Sequence, residues 1–467
     1  MKNDSNTTEA TDSPRGVDPR LYVMMFLQYA VYGLWLPIAA RFLSADRAVG
    51  GLGFSDFQIG MIIAVAGAIG ALTAPFIAGQ IADRYMAPSR CLAVLLAVGG
   101  AVKFVTAYQT TYIAWLWLSI AYAVLFAPTL SLTNSLALAH LPDPKRQFPG
   151  VRAVGTLAWI TVAWVFPMLW LQSDLEFRWL PPFFTGRELP DSPARMVDSV
   201  RVAGAVSVGY ALFCWFGLPR TPPKREAARK LAFAAAFALV RRRSFAVLVA
   251  AALVVSVIHC LYFVQMSKFL AAIGLADAYI MPAMSLGQFA EILALAVLGP
   301  VLSRLGFRTV IALGASCYFL KYAFFGTTQL PLELIVAAQL IHGFSFAFFF
   351  AAGFIYVDRL APPDTRYSAQ TVFMMVILGV GPLVAGPLNG WLSERYTPAG
   401  GTLDYSLFWY TAAAIGLAAT VLVAAGFRDE TGAGGGGRGE GVMEWWSGER
   451  DGARQPAMNP NVRHDDG

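Results

Sequence analysis

Residues Phe57 to Ala82 read FQIGMIIAVAGAIGALTAPFIAGQIA and run straight into Asp83-Arg84. The run holds no charged side chain, and as a helix it would be about 39 Å long, more than the roughly 30 Å hydrocarbon core of a bilayer. A helix apolar on every face has no side to turn toward water, so this stretch reads as a membrane span. The same reading extends outward to Leu21–Ala40, Ala153–Ser173, Val202–Pro219, Ser244–Ser267, Leu334–Val357, Tyr367–Ser393 and Tyr405–Phe427. Phe104 to Leu141 is too long for one crossing and divides at the polar turn Gln109–Thr111. Helices 3, 8 and 9 are each interrupted once, by Lys103, Glu291 and Lys321. The sum is twelve spans, an all-α membrane protein.

Composition agrees. Of 467 residues, 57% are hydrophobic and 14% charged, against about 25% charged in an average soluble chain. This excludes a soluble enzyme, a nucleic-acid-binding domain and a large extramembrane module. The net charge of +6 lies in short loops rather than on one face. Cys91, Cys214, Cys260 and Cys317 stand in apolar stretches without a CxxC pair, which predicts small hydrophobes and no metal site. No short apolar stretch with a small-residue cleavage site precedes Leu21, so the first span is expected to remain as a helix.

Basic residues set the topology. With the N-terminus inside, the inner loops hold sixteen of them and the outer loops about seven, which predicts both termini in the cytoplasm. Residues 220–243 carry eight basic residues against the single acid Glu226 and separate six spans from six. The expected organisation is a tail over 1–19, a six-helix lobe over 20–219, a basic linker over 220–243, a second lobe over 244–427 and a Gly-rich disordered tail over 428–467. The stretch from about 172 to 200 reads as a long outer loop of unassigned role.

The halves echo each other: Gly79-Gln80-Ile81-Ala82-Asp83-Arg84 follows helix 2, and Gly299-Pro300-Val301-Leu302-Ser303-Arg304 follows helix 8. A six-helix repeat is the mark of a two-lobed transporter. With G-x-x-x-D-R between helices 2 and 3, the layout resembles the major facilitator superfamily. Further strings narrow the match: Phe26-Leu27-Gln28 with Gly33 and Trp35, Pro128-Thr129-Leu130 with Asn134, Phe148-Pro149 with Arg152 and Gly155-Thr156, Gln288-x-x-Glu291, and Ser368-Ala369-Gln370. In this order and spacing they resemble the nucleoside:proton symporter family.

Candidate transport residues follow from position. Glu291 stands near the middle of helix 8, where an ionised side chain costs roughly 2.5–3.5 kcal/mol on insertion scales. It must therefore face protein or water, as a proton carrier, as an acceptor for substrate hydroxyls, or in an ion pair with Lys321 or Lys103. Gln288 shares its face one turn earlier. Arg152, Thr156 and Trp159 fall on one face of helix 5, a cation, a hydroxyl and an aromatic plane. Arg152 could alternatively snorkel to the inner interface. Gln28 could read the polar edge of a stacked heterocycle, and Phe346 is the helix-10 aromatic expected to touch substrate. His342 is a second proton-coupling candidate or a hydrogen-bonded core histidine; His259 reads as structural. Lys321 and Lys103 are expected to snorkel to the interface. Asp83 and Arg84 form the expected gate between helices 2 and 3.

The resemblance implies a proton-coupled nucleoside importer working by alternating access, with Gln288 and Glu291 on the substrate. It implies no cofactor beyond the proton gradient, no catalytic residue or metal, a bacterial inner-membrane location and a monomer. The family's acidic residue in helix 10 is replaced here by Ala347. Its helix-7 amides fall at Cys260 and Phe263, leaving Tyr262 or Gln265 as stand-ins. A sugar or oligosaccharide symporter of the same fold, a nontransporting sensor and a polytopic membrane enzyme are the alternatives; no HExxH, GxSxG or HxxxxD constellation favours the last.

Overall fold

The computed structural model describes residues 16–77, 86–179, 181, 183–219, 239–362 and 365–430. Among these residues, eleven helices are long and apolar enough to cross a membrane. The first seven are α1 (Pro19–Ser44), α2 (Asp56–Ile77), α3 (Pro88–Thr106), α4 (Tyr112–His140), α5 (Pro144–Trp170), α6 (Val197–Phe216) and α7 (Arg243–Ala272). The eighth run, Asp277–Gly326, is 50 residues long and would measure about 75 Å if straight, over twice the apolar thickness available. It is broken at Gly306, whose φ of 74° and ψ of 165° are not helical; a Cβ would make that backbone conformation costly. The arm before the break is α8 and the arm after it α9. The rest are α10 (Leu332–Leu360), α11 (Ser368–Tyr396) and α12 (Tyr405–Gly426).

Local chemistry starts these helices. The Asp18, Asp143 and Asp404 carboxylates accept from first-turn amides of α1, α5 and α12, and Ser55 and Gln58 cap each other's backbone at α2. Three helices contain a widened π turn: Met61–Val65 in α2, Phe346–Ala351 in α10 and Val376–Val380 in α11. Such a turn inserts one residue and re-aims the face that follows.

Buried side chains fall into two clusters. One gathers residues from Leu21 to Leu218, the other from Leu239 to Phe427. Large apolar side chains such as Leu293, Trp117 and Phe216 are exposed on the outside, as suits a surface solvated by lipid rather than water. Cys91 and Cys214 are buried and all four cysteines are free.

The outer-loop stretch left unassigned by sequence is ordered. Gln172–Phe177 and Phe184–Glu188 pair antiparallel as β1 and β2, followed by a short helix at Ser192–Arg195. Glu188 Oε1 accepts from the backbone of Asp277 at 3.3 Å, so the hairpin leans on the start of α8.

Polar contacts between α1–α6 and α7–α12 gather at this same end, opposite the chain's N-terminus. Arg41 Nε donates to Asp277 at 2.9 Å, Lys268 pairs with Asp56, and Asn389 Nδ2 donates to the Asp56 carbonyl at 2.8 Å. Gln265 ties Lys268 to Asn389 and Ser393. Beneath these, α2 and α11 meet backbone to backbone: a Cβ on Gly60 would stand 2.4 Å from the Gly386 carbonyl oxygen, and one on Gly390 would strike Phe57. Gly386 and Gly390 of α11 thus admit α2. Asp83, Arg84 and the linker over 220–238 lie outside the described residues.

Arg41 and Asp277 are 26% and 6% exposed in their side chains, so their pairing should be worth about 1 kcal/mol, at the upper end for an ion pair still open to water. Asp277→Arg alone should lower the thermal midpoint by several degrees. The swap Arg41→Asp with Asp277→Arg should recover most of the loss, as a double-mutant cycle of melting would record.

Candidate functional site

Half-way along the bundle, the two sets of helices bring charged and aromatic groups together. α5 presents Arg152, whose guanidinium lies 4.2 Å from the centroid of the Tyr29 ring on α1. The ring fits there because residue 155 is glycine: a Cβ would be 2.5 Å from a Tyr29 ring carbon. α8 brings Glu291 to the same place. Arg152 and Tyr29 both stand near enough to Glu291 for an electrostatic interaction with it. Glu291 is partly buried, and no amine or guanidinium lies within 4 Å of it among the described ion pairs. Its expected alternative, an ion pair with Lys321 or Lys103, is not what the structure contains.

Beside this cluster lies a crevice too narrow to hold a water-sized sphere, lined by Pro37 and Trp159 from one set and Tyr262, Phe263, Met284 and Gln288 from the other. Typical small-molecule pockets span about 300–1,000 Å³, so the two sets must part for a drug-sized ligand to enter. Trp159 meets the Tyr32 ring edge-on at 5.5 Å between centroids, and a neighbouring tryptophan, Trp164, donates to Ser285 Oγ at 2.7 Å across the same seam. α8 and α10 touch through glycine: a Cβ on Gly343 would stand 2.2 Å from the Glu291 backbone nitrogen.

The sequence-predicted residues therefore divide. Arg152, Glu291, Trp159 and Gln288 converge on the seam, with Thr156 partly buried one turn from Arg152 on α5. Gln28 is fully buried inside the first set: its Nε2 donates to Thr129 at 2.9 Å and its Oε1 accepts from Thr133 at 3.0 Å, with Tyr210 beyond. His342 and Phe346 meet around His259 in the second set, with ring centroids 5.2 and 6.3 Å from it. Of the two helix-7 stand-ins, Tyr262 lines the cleft and donates to Gln339 at 2.8 Å, whereas the Gln265 amide serves the contacts at the bundle end.

Two expectations are overturned. Lys321 and Lys103 do not snorkel; they are 0% and 1% exposed. Each points into its own set of helices, where aromatic rings receive the ammonium, Trp35 for Lys103 and Tyr262, Tyr318 and Tyr322 for Lys321. Tyr29 and Pro37 are site residues that the sequence reading missed. The available signal for Tyr29 was Gly155, one residue before Thr156 on the face already singled out.

A family model described as nucleoside H+ symporter matches residues 16–432. The Escherichia coli (strain K12) transporter YegT is 29% identical over 422 residues, covering 88% of this chain and 93% of its own. The xanthosine permease of the same organism is 26% identical over 432 residues, covering 88% and 95%. The crystal structure of the nucleoside transporter NupG superposes with a TM-score of 0.73 at 23% identity, covering 88% of this chain and 98% of that one. A seam of polar and aromatic groups between two helical sets, carried on a sequence that one family model matches almost throughout, marks the chain as a membrane transporter and not an enzyme, and it belongs to the nucleoside H+ symporter family.

Proposed function

We propose that this chain imports nucleosides together with protons by alternating access. In this reading twelve spans form two six-helix lobes, residues 20–219 and 244–427, that rock about the seam. The break at Gly306 supports counting α8 and α9 as separate spans, and the two buried clusters support the division into lobes. The protein would act as a monomer in the bacterial inner membrane with both termini cytoplasmic, driven by the proton gradient and needing no cofactor. The contacts around Asp277 and Asp56 would then close the outer side, and Asp83 and Arg84 would gate the inner one.

The observation that carries the reading is the meeting of Arg152, Tyr29 and Glu291 next to the Trp159–Gln288 cleft. A nucleoside offers a flat base and a hydroxyl-bearing sugar. Trp159 supplies a plane for the base, and Gln288 and Glu291 supply acceptors for paired hydroxyls. A nucleoside is neutral, so the gradient must act through a protein group that gains and loses a proton; Glu291 is the first candidate and His342 the second. Phe346, Thr156 and Gln28 complete the proposed substrate set, Gln28 from behind through Thr129 and Thr133.

Glu291→Gln, reconstituted in proteoliposomes, should lose accumulation of labelled uridine or adenosine against a gradient while keeping some exchange; full concentrative uptake would remove Glu291 from coupling. Trp159→Ala should raise the KM about tenfold, the loss of one stacked ring with its buried area, and Trp159→Phe should recover most of it. Free sugars should not compete with labelled nucleoside. Competition by a sugar at similar concentration would favour the sugar symporter instead.

A further inference from the structure

Lys103 and Lys321 occupy matching places: Lys103 on α3 against α1 and α4, Lys321 on α9 against α7 and α10. Their surroundings differ in one respect. Lys103 Nζ lies 3.0 Å from the centroid of the Trp35 ring and 4.5 Å from that of Tyr122. Lys321 Nζ lies 4.5–4.7 Å from three tyrosine rings but also 2.9 Å from Nδ1 of His342. His342 is stacked between two rings, with centroids 4.5 Å away at Tyr262 and 5.2 Å at His259. His259 Nδ1 is in turn 2.9 Å from the Tyr318 hydroxyl.

We propose that Lys321 and His342 act as a pair, alongside Glu291, in carrying the transported proton, an inference that rests on the proton-coupled reading above. A hydrogen bond between two nitrogens needs one lone pair, and an ammonium has none. Two protonated nitrogens at 2.9 Å would also place like charges side by side in an apolar interior. The pair therefore holds one positive charge or none, so it changes by a single proton. The titratable groups facing it are His259, Cys260 and Tyr262 from α7 and Cys317, Tyr318 and Tyr322 from α9, with Glu291 of α8 beyond Tyr318. No carboxylate pairs with Lys321 among the described ion pairs, so nothing pins the charge in place.

The step balances within the pair. With Lys321 neutral and His342 holding its proton on Nε2, the amine takes a proton from water admitted when the cleft opens to one side and becomes an ammonium that donates to the Nδ1 lone pair; when the cleft opens to the other side that proton returns to water, and both groups regain their starting forms. One proton enters and one leaves. Substrate reaches the pair through two contacts: Tyr262 both stacks on His342 and lines the cleft, and His342 would be 3.1 Å from a Cβ on Gly287, the residue before Gln288. A nucleoside pressing on Tyr262 or Gln288 displaces the imidazole. Lys103, without an imidazole, is the internal comparison.

The test uses the full chain in proteoliposomes with labelled uridine or adenosine, reading counterflow, accumulation driven by a pH gradient, and substrate-linked proton uptake with an entrapped pH dye. Lys321→Arg keeps a cation that does not deprotonate, and His342→Phe keeps the stacked ring. Both should retain counterflow within about twofold while accumulation and the dye signal fall at least tenfold. Lys321→His should recover part of each, and Lys103→Arg should keep both. Normal accumulation and proton uptake in Lys321→Arg, while the natural chain remains proton-driven, overturns this proposal alone. Loss of counterflow in Lys321→Arg and His342→Phe alike also overturns it, assigning the pair to packing. A natural chain whose nucleoside uptake ignores the pH gradient overturns the coupling reading itself.

Discussion

The organising constraint is the cost of charge in an apolar medium. Lipid offers no hydrogen bonds, so the backbone must close on itself as helix, and each ionisable side chain within the bundle needs a protein environment that receives it. The chain keeps very few such groups at depth. Arg152 lies over Tyr29 near Glu291, Lys103 rests on Trp35, and Lys321 meets His342 among three tyrosines. Aromatic faces, rather than carboxylates, receive the buried ammoniums. A ring attracts a cation without fixing it as a counter-ion would, which leaves the charge free to be added or removed.

Packing at the seam follows a different rule. Where the two sets of helices meet, glycine removes the side chain at Gly60, Gly386 and Gly390; polar pairs join Arg41 with Asp277, Lys268 with Asp56 and Trp164 with Ser285, and Val264, Ala278 and Met281 of the second set pack into the first buried cluster. Within each set the contacts are apolar and continuous.

Much of this was legible in the sequence. Charge-free runs of spanning length gave the helices, and the polar turn before Tyr112 gave the division between α3 and α4. A lone acid at Glu291 and the Arg152–Trp159 face identified four residues that do meet at the seam. What was not legible depends on azimuth. Because these helices are apolar on nearly every face, hydrophobic periodicity does not say which side of α3 or α9 turns inward. Lys103 and Lys321 stand near helix ends, where the sequence favours escape to the interface; the packing of α1 and α4, or of α7 and α10, turns them inward instead. The same limit sends Gln28 to Thr129 rather than to the cleft lining. The β1–β2 hairpin was hidden for another reason: its strands are short and largely exposed, with no alternation to betray them.

The bare contact between α2 and α11 has a mechanical consequence. With hydrogen in place of side chains at Gly60 and Gly386, the two backbones touch directly, while Leu72 and Phe57 seat in the hollows left by Gly379 and Gly390. Any parting of the two helices there must unseat those side chains as well as break the ionic latches at the bundle end. Tightening or loosening those latches would then set the pace of the cycle without reshaping the chamber where cargo rests.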